Sequence, residues 1–241
     1  MAKTKYDQIY ASLRQRIEAG EYAFQDLLPS ENTLVKEFDC SRNTIRRAVG
    51  QLAAEGYVQS IHGKGVRIIH ESGQQQSEFI LGGIESLKEA VARNKKNYTT
   101  RVVCFAELTV DENIRRRTTF LEGAQIYYIQ RVRYIEGEAL IIDHNYFLKD
   151  VVKDLTPEIA ERSIYEYMER ELGESIVTTK RKMTVERVNQ IDEKYLDLKD
   201  YNCMAVVSSM TYNAEGIMFE FTQSRHRPDR FVFYDLAHRA K

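Results

Sequence analysis

Arg131 and Arg133 stand two residues apart in a run rich in Val, Ile and Tyr, which predicts an extended strand. Alternation along a strand turns both guanidinium groups to one face, where two planar forks can grip a phosphate. A second predicted strand, Glu138–Leu148, carries Asp143 and follows the turn pair Glu136-Gly137. The register of this hairpin decides what the arginines meet. A two-residue turn sets Ile142 opposite Arg131, whereas a three-residue Glu136-Gly137-Glu138 loop sets Asp143 there. The second arrangement is the one expected, because it stands a carboxylate beside the arginines to accept sugar hydroxyls. The plainer alternative is a cross-strand Arg131–Asp143 ion pair without a ligand.

A different set of donors lies in Ser41-Arg42-Asn43-Thr44-Ile45-Arg46-Arg47. Ile45, Ala48, Val49 and Leu52 fall at i, i+3, i+4 and i+7, so one face of a helix is buried. Arg42 and Arg46, four apart, share a different, exposed face. A short helix held by one face, with Arg, Asn and Thr at its N-terminal end, is what reading the major groove of DNA requires. Downstream, His62-Gly63-Lys64-Gly65 tips a hairpin. Its glycines allow positive φ and close approach to phosphates, with His62 and Lys64 as donors. The competing reading is a structural three-helix unit whose arginines are only solvated.

The elements that must position these residues follow from periodicity. Tyr6, Ile9, Tyr10, Leu13 and Ile17 predict a first helix ending near Gly20. Ser30 is a good N-cap for a second helix burying Leu34, Val35 and Phe38, and Ser41 for a third ending at Gly56. Short strands are expected at 57–61 and 66–69. Residues 71–78, ESGQQQSE, lack any large apolar residue and mark a linker. Beyond it, strands are expected at 101–110, 124–135, 138–148, 176–188, 204–213, 217–225 and 231–236, with helices near 84–94, 111–118, 157–172 and 191–199. Glu136-Gly137 and Glu215-Gly216 mark hairpins. This pattern predicts an α+β chain: a winged helix-turn-helix domain at 1–70, a linker at 71–78, and an antiparallel sheet domain at 79–241.

The net charge of -1 carries no basic signature, but its distribution does. Residues 1–70 hold ten Lys/Arg against eight Asp/Glu, and the segment 41–67 holds five basic residues against one acidic. Cys40, Cys104 and Cys203 form no CxxC pair or disulfide framework, which suits a reducing cytoplasm. The sequence has no signal-peptide pattern and no apolar run near the ~18 residues of a membrane span, so a soluble protein is expected. The five histidines, His62, His70, His144, His226 and His238, lack ligand spacing, so neither metal nor cofactor is expected. Arg115-Arg116-Arg117 reads as a solvated helix face. No GxSxG, HExxH or P-loop argues for an enzyme.

LPSEN at 28–32, SRNTIRRAVGQLAAEGYV at 41–58 and HGKGV at 62–66 resemble the N-terminal domain of the GntR family of bacterial repressors, with matching spacing throughout 5–69. The resemblance implies that Arg42, Thr44 and Arg46 approach bases or phosphates, with Ser30 and Arg47 nearby on the DNA backbone. It also implies that His62, Gly63 and Lys64 enter the minor groove. One departure is local: the family often has Gly-Thr-Phe-Val after the wing Lys, and here the order is Gly65-Val66-Arg67-Ile68.

RVRYIEGEALIIDHNYFL, RSIYEYMERELG and FEFTQSRHRPDRFVFYDL resemble the effector-sensing UTRA domain of the HutC-type branch, over roughly 79–238. That domain is similar in fold to chorismate lyase. The resemblance places Asp143, Glu220 and His226 at effector-contacting positions, and Gly83 and Ser86 in the loop and helix covering the pocket. Ser163, opening the next helix, would donate to a phosphate together with that helix's N-terminus. FEFTQSRHRPDRFVF is further similar to the trehalose operon repressors of Gram-positive bacteria, which implies trehalose 6-phosphate as inducer. The expectation is therefore a homodimeric, ligand-responsive repressor of operator DNA. The alternatives are a regulator sensing a different small molecule, a DNA-binding protein whose second domain only dimerises, and a lyase-like enzyme.

Overall fold

A computed structural model describes residues 5–71, 79–80, 84 and 97–234, and the chain divides into two compact units. The first holds α1 (Lys5–Glu18), α2 (Glu31–Phe38), α3 (Arg42–Ala54) and the antiparallel hairpin of β1 (Val58–Ile61) and β2 (Gly65–Ile68). Ile9, Leu13 and Ile17 of α1 share one core with Leu34 of α2, Ile45, Ala48 and Leu52 of α3, and Val58 and Ile68 of the hairpin. The helix starts are where the serines place them. Ser30 Oγ accepts from the Thr33 N–H and Ser41 Oγ from the Thr44 N–H, each at 3.2 Å, and each such cap stabilises by about 1 kcal/mol. Asp39 at φ 45° ends α2 in the left-handed region, which Asp tolerates better than most residues. That single residue makes the turn between α2 and α3 tight. Leu27 bridges Arg67 and adds a short third rung to the wing.

Two short strands, β3 (Phe79–Ile80) and β10 (Phe233–Tyr234), pair with each other. The second unit is built on a six-stranded antiparallel sheet. It comprises β4 (Tyr98–Thr109), β5 (Gln125–Ile135), β6 (Glu138–Leu148), β7 (Ile176–Arg187), β8 (Cys203–Asn213) and β9 (Met218–His226), in the spatial order β4-β5-β6-β9-β8-β7. On one face Tyr127, Ile129 and Phe147 pack under Ala160, Ile164 and Met168, from the region of α5 (Pro157–Glu161) and α6 (Ile164–Arg170). On the other face Ile126, Tyr146 and Phe221 meet Phe120 beside α4 (Glu112–Thr118). There too Val132, Ile142 and Val206 meet Leu196, the residue ending α7 (Gln190–Tyr195).

Four local expectations need correction. The helix near 157–172 is two helices: the second starts at Ser163, as its reading as a helix start implies, and the first ends at Glu161. The helix at 191–199 starts at a capping box of Asn189 and Asp192 and ends at Tyr195. In place of a strand over 231–236, Pro228–Arg230 forms a 3-10 turn and the strand is Phe233–Tyr234 among the described residues. The hairpin turn is two residues, not three: Glu136 and Gly137 have φ of 51° and 82°, and Ile135 faces Glu138. Arg131 nonetheless faces Asp143, because the register shifts between Arg133 and Tyr134, leaving Leu140 as the extra residue of a bulge. The expected helix near 84–94, apart from Ile84, and the linker beyond Glu71 lie outside the described residues.

Candidate functional site

In the first unit, Arg42, Arg46, Arg47, His62, Gly63 and Lys64 are all exposed, as is Ser30. Arg42 opens α3, and the hydroxyls of Ser41 and Thr44 lie 2.9 Å apart at the same end. Arg46 Nε pairs with Glu31 Oε2 of α2 at 2.9 Å, an exposed contact worth at most about 1 kcal/mol that a phosphate can displace. Arg47 is held apart from this pair, its guanidinium 4.3 Å from the ring centre of Tyr6 on α1. Gly63 and Gly65 at the wing tip have φ of 71° and 111°, a conformation in which a side chain at either position would be strained. The structure thus gathers Arg42, Thr44 and Arg46 at one helix end, with His62, Gly63 and Lys64 on the wing.

In the second unit the ladder brings Arg131, Arg133 and Asp143 to one face, and Ser224 pairs with Asp143 across the next strand. Arg133 Nε donates to Asp143 Oδ2 at 2.8 Å and Nη1 to Thr100 Oγ1 at 2.7 Å. Ser224 Oγ donates to Asp143 Oδ1 at 2.7 Å. Arg131 lies slightly further from Asp143, with Nη2 at 3.9 Å. Its Nε donates to Asn145 Oδ1 at 2.8 Å and its Nη1 to the Ala160 carbonyl at 3.4 Å. From Asn145 the chain of donors runs on: Nδ2 to Thr222 Oγ1 at 2.7 Å, then Thr222 Oγ1 to Glu220 Oε1 at 2.6 Å. Tyr165 of α6 donates its hydroxyl to Glu220 Oε2 at 2.5 Å. Such a chain, aligned from guanidinium to carboxylate, polarises each bond in the same sense.

Arg131, Arg133, Asp143, Asn145, Glu220 and Thr222 are buried, so their electrostatics are strong. Burial, then the neighbouring Arg133, pulls the Arg131 guanidinium down to about 9, against the raising effect of Asp143 and Glu220. The cation persists at neutral pH but is under-compensated, which an incoming anion relieves. Burial pushes the Asp143 carboxyl up, yet Arg133, Arg131 and the Ser224 hydroxyl outweigh it and hold the carboxyl below its ordinary value. Burial, followed by Glu220, lifts the Tyr165 phenol well above its usual range, so it stays a donor.

His226 faces Ile141 on β6, its ring centre 5.0 Å from that of Phe231. Burial lowers it to about 4, opposed by Asp143. A histidine held neutral in the fold costs stability in acid. As pH falls from about 6.5 to about 4, the unfolded chain binds a proton that the folded chain does not, removing about 3 kcal/mol. His226→Gln is expected to lose that share of the acid sensitivity in urea unfolding near pH 7 and near pH 4. Identical pH dependence of the two proteins would contradict the assignment.

Ser163 is buried and caps α6 by accepting from the Glu166 N–H at 3.3 Å, an acceptor role that leaves the hydroxyl hydrogen able to donate. Gly83 and Ser86 lie outside the described residues. Thr100, Asn145, Tyr165, Thr222 and Ser224 were not anticipated. Three of them carry a signal that period-two alternation exposes: Asn145 follows Asp143 by two, and Thr222 and Ser224 fill the same face between Glu220 and His226. Arg117 is exposed like its two neighbours, as a solvated helix face requires, and also touches the sheet. Arg115 and Arg116 face Glu122 and Glu112 at the surface, but Arg117 reaches Tyr146 Oη at 3.4 Å and Gln223 Oε1 at 3.2 Å. No helix among the described residues is long and apolar enough to cross a membrane.

Residues 5–68 match the model of the bacterial regulatory proteins of the gntR family, and residues 93–232 match the UTRA domain. The chain is 36% identical over 241 residues, the whole of both proteins, to the HTH-type transcriptional regulator TreR of Bacillus subtilis (strain 168). It is 38% identical to the solved effector-binding domain of the B. subtilis trehalose repressor, covering 59% of this chain and 99% of that one with a TM-score of 0.54. The fold of YydK from B. subtilis is similar over 98% of this chain and 100% of that one, with a TM-score of 0.82 at 23% identity. With a three-helix winged head, a six-stranded sheet and these full-length likenesses, the chain belongs to the GntR family of bacterial transcriptional regulators, and its second domain is a UTRA domain.

Proposed function

We propose that the protein is a homodimeric cytoplasmic repressor of trehalose-utilisation genes, released from its operator by trehalose 6-phosphate. The observation that carries the effector reading is the buried face on which Arg131 and Arg133 stand beside Asp143, Asn145 and Glu220. Two guanidinium forks suit a phosphate, and carboxyl and amide groups beside them suit sugar hydroxyls. A lipid chain would offer no donor or acceptor to this buried polar face. The 36% identity to TreR along the whole chain favours trehalose chemistry among the phosphosugars.

Arg131, Arg133 and Ser163 are assigned to the phosphate, and Asp143, Glu220 and His226 to the sugar. Gly83 and Ser86 are assigned to the cover of the site on family resemblance alone. Arg42, Thr44 and Arg46 take the major groove, Ser30 and Arg47 the flanking phosphates, and His62, Gly63 and Lys64 the minor groove. Two heads reading one pseudo-palindrome need a fixed spacing. An effector that binds the conformation with badly spaced heads more tightly weakens operator binding by linkage.

Calorimetric titration of the full-length protein tests the effector. Trehalose 6-phosphate is expected to bind, with trehalose and glucose 6-phosphate weaker by at least about tenfold, since each lacks one half of the contacts. Equal affinity for trehalose would remove the phosphate role from the arginines.

A further inference from the structure

The face of the sheet opposite Arg131 and Arg133 carries a polar rung that the proposed function does not use. The ladder aligns Cys104, Gln130, His144, Gln223, Ser208 and Lys182 across all six strands, from β4 to β7. Apolar clusters flank this rung on both sides. Ile126, Tyr146 and Phe221 lie towards α4, and Val132, Ile142 and Val206 towards α7. Polar groups in the middle of such a face are costly unless each finds a partner.

His144 is 4% exposed, and its Nδ1 lies 2.9 Å from the Tyr128 hydroxyl. Gln130 Nε2 donates to that same hydroxyl at 2.7 Å, so the phenol oxygen accepts there and its hydrogen goes to Nδ1. The opposite tautomer would leave the phenol hydrogen without an acceptor among the described residues. Burial, followed by Arg117, holds the imidazole below its ordinary value, so the ring is neutral at pH 7 and its one hydrogen sits on Nε2. Nε2 stands farther from the backbone than Nδ1 and has no partner among the described residues.

Arg117 leans over the same place from α4. Its neighbours Arg115 and Arg116 face carboxylates, but Arg117 meets only the neutral Tyr146 Oη and Gln223 Oε1 among the described residues. With its oxygen turned to Arg117, the Gln223 amide keeps both N–H donors available. The carboxylates that act on His144 are Asp143, on the opposite face, and Asp192, committed to Arg225 at 2.9 Å. Lys182 adds an exposed cation at the far end of the rung.

We propose that this rung is a second ligand site, which takes a small molecule by an oxyanion group held between the Arg117 guanidinium, the His144 Nε2–H and the Gln223 amide. A charged fork with neutral N–H donors beside it is the arrangement that binds carboxylates and phosphate or sulfate groups. Alternation along β5 and β6 turns Gln130 and His144 away from Arg131 and Asp143, so the sheet itself separates the two sites. The inference needs only these residues and does not rest on the trehalose reading.

The test is histidine NMR of the full-length protein, titrated with sodium sulfate against chloride at constant ionic strength and pH. The His144 ring signal is identified by its absence from His144→Gln, or by elimination with variants of the other four histidines. It is expected to shift saturably. Arg117→Gln, an exposed change, is expected to weaken the apparent affinity by at least about tenfold, and Arg131→Lys to leave it within about twofold. Sodium acetate in place of sulfate separates a planar carboxylate from a tetrahedral anion, and whichever saturates at lower concentration names the group. No saturable shift with either anion, or one that Arg117→Gln leaves at full affinity, would overturn the site. A shift lost in Arg131→Lys would put the anion on the effector face and overturn it too.

Discussion

Arg131→Lys is expected to lower affinity for the effector by about 2–4 kcal/mol, roughly 30- to 1000-fold, and to leave operator affinity without effector within about threefold of the unaltered protein. Arginine is required here because its planar fork does two jobs. Nε and Nη1 are committed to Asn145 and to the end of α5 at Ala160, which fixes the direction of the remaining N–H groups. Lysine keeps the charge but, as a point donor on a flexible stem, cannot satisfy the fold and grip an anion together. Alanine would be a poorer probe. It would strip donors from Asn145 and the Ala160 carbonyl and weaken the compensation of Asp143, costing about 3–5 kcal/mol of stability. The winged-helix core is built from α1, α2, α3 and their own hairpin, so DNA binding has no reason to follow. Calorimetry for the effector and anisotropy for the operator separate the two effects, and an Arg131→Lys protein that binds effector normally would displace the site from this face.

Arg42→Ala is expected to cost about 1–3 kcal/mol of operator affinity, roughly 5- to 150-fold, with relaxed preference at one base position. Arg42 is the first residue of α3 and exposed, at the N-terminal end of the helix proposed to enter the groove. Lys64→Ala, which removes the ammonium that the proposed minor-groove wing brings among the backbone phosphates, should weaken all sequences about equally and reduce the salt dependence by about one ion. A mutation of Arg42 that behaves like the one at Lys64 would move Arg42 from bases to backbone. Effector affinity should be unchanged in both variants.

Much of this architecture is legible in the residues because local rules act alone there. Ser30 and Ser41 mark helix starts, and Ile45, Ala48, Val49 and Leu52 mark the buried face of α3. Asp143 opposite Arg131 was expected for an incorrect reason. The turn is two residues, and a bulge at Leu140 supplies the shift. A bulge depends on what both strands pack against, which no hairpin rule contains. The start of α6 at Ser163 is legible from its capping residue, whereas the end of α5 at Glu161 is not. Glu220 and Tyr165 meet across strand and helix, a pairing that only the folded chain creates.

The most direct test of the account is fluorescence anisotropy of the full-length protein on a labelled fragment from its own upstream region, titrated with trehalose 6-phosphate at fixed salt. The account predicts tight binding, then release by trehalose 6-phosphate at concentrations where trehalose and glucose 6-phosphate leave the complex intact. Tight binding unaffected by trehalose 6-phosphate would contradict it, and would leave a GntR-family regulator answering to a different molecule.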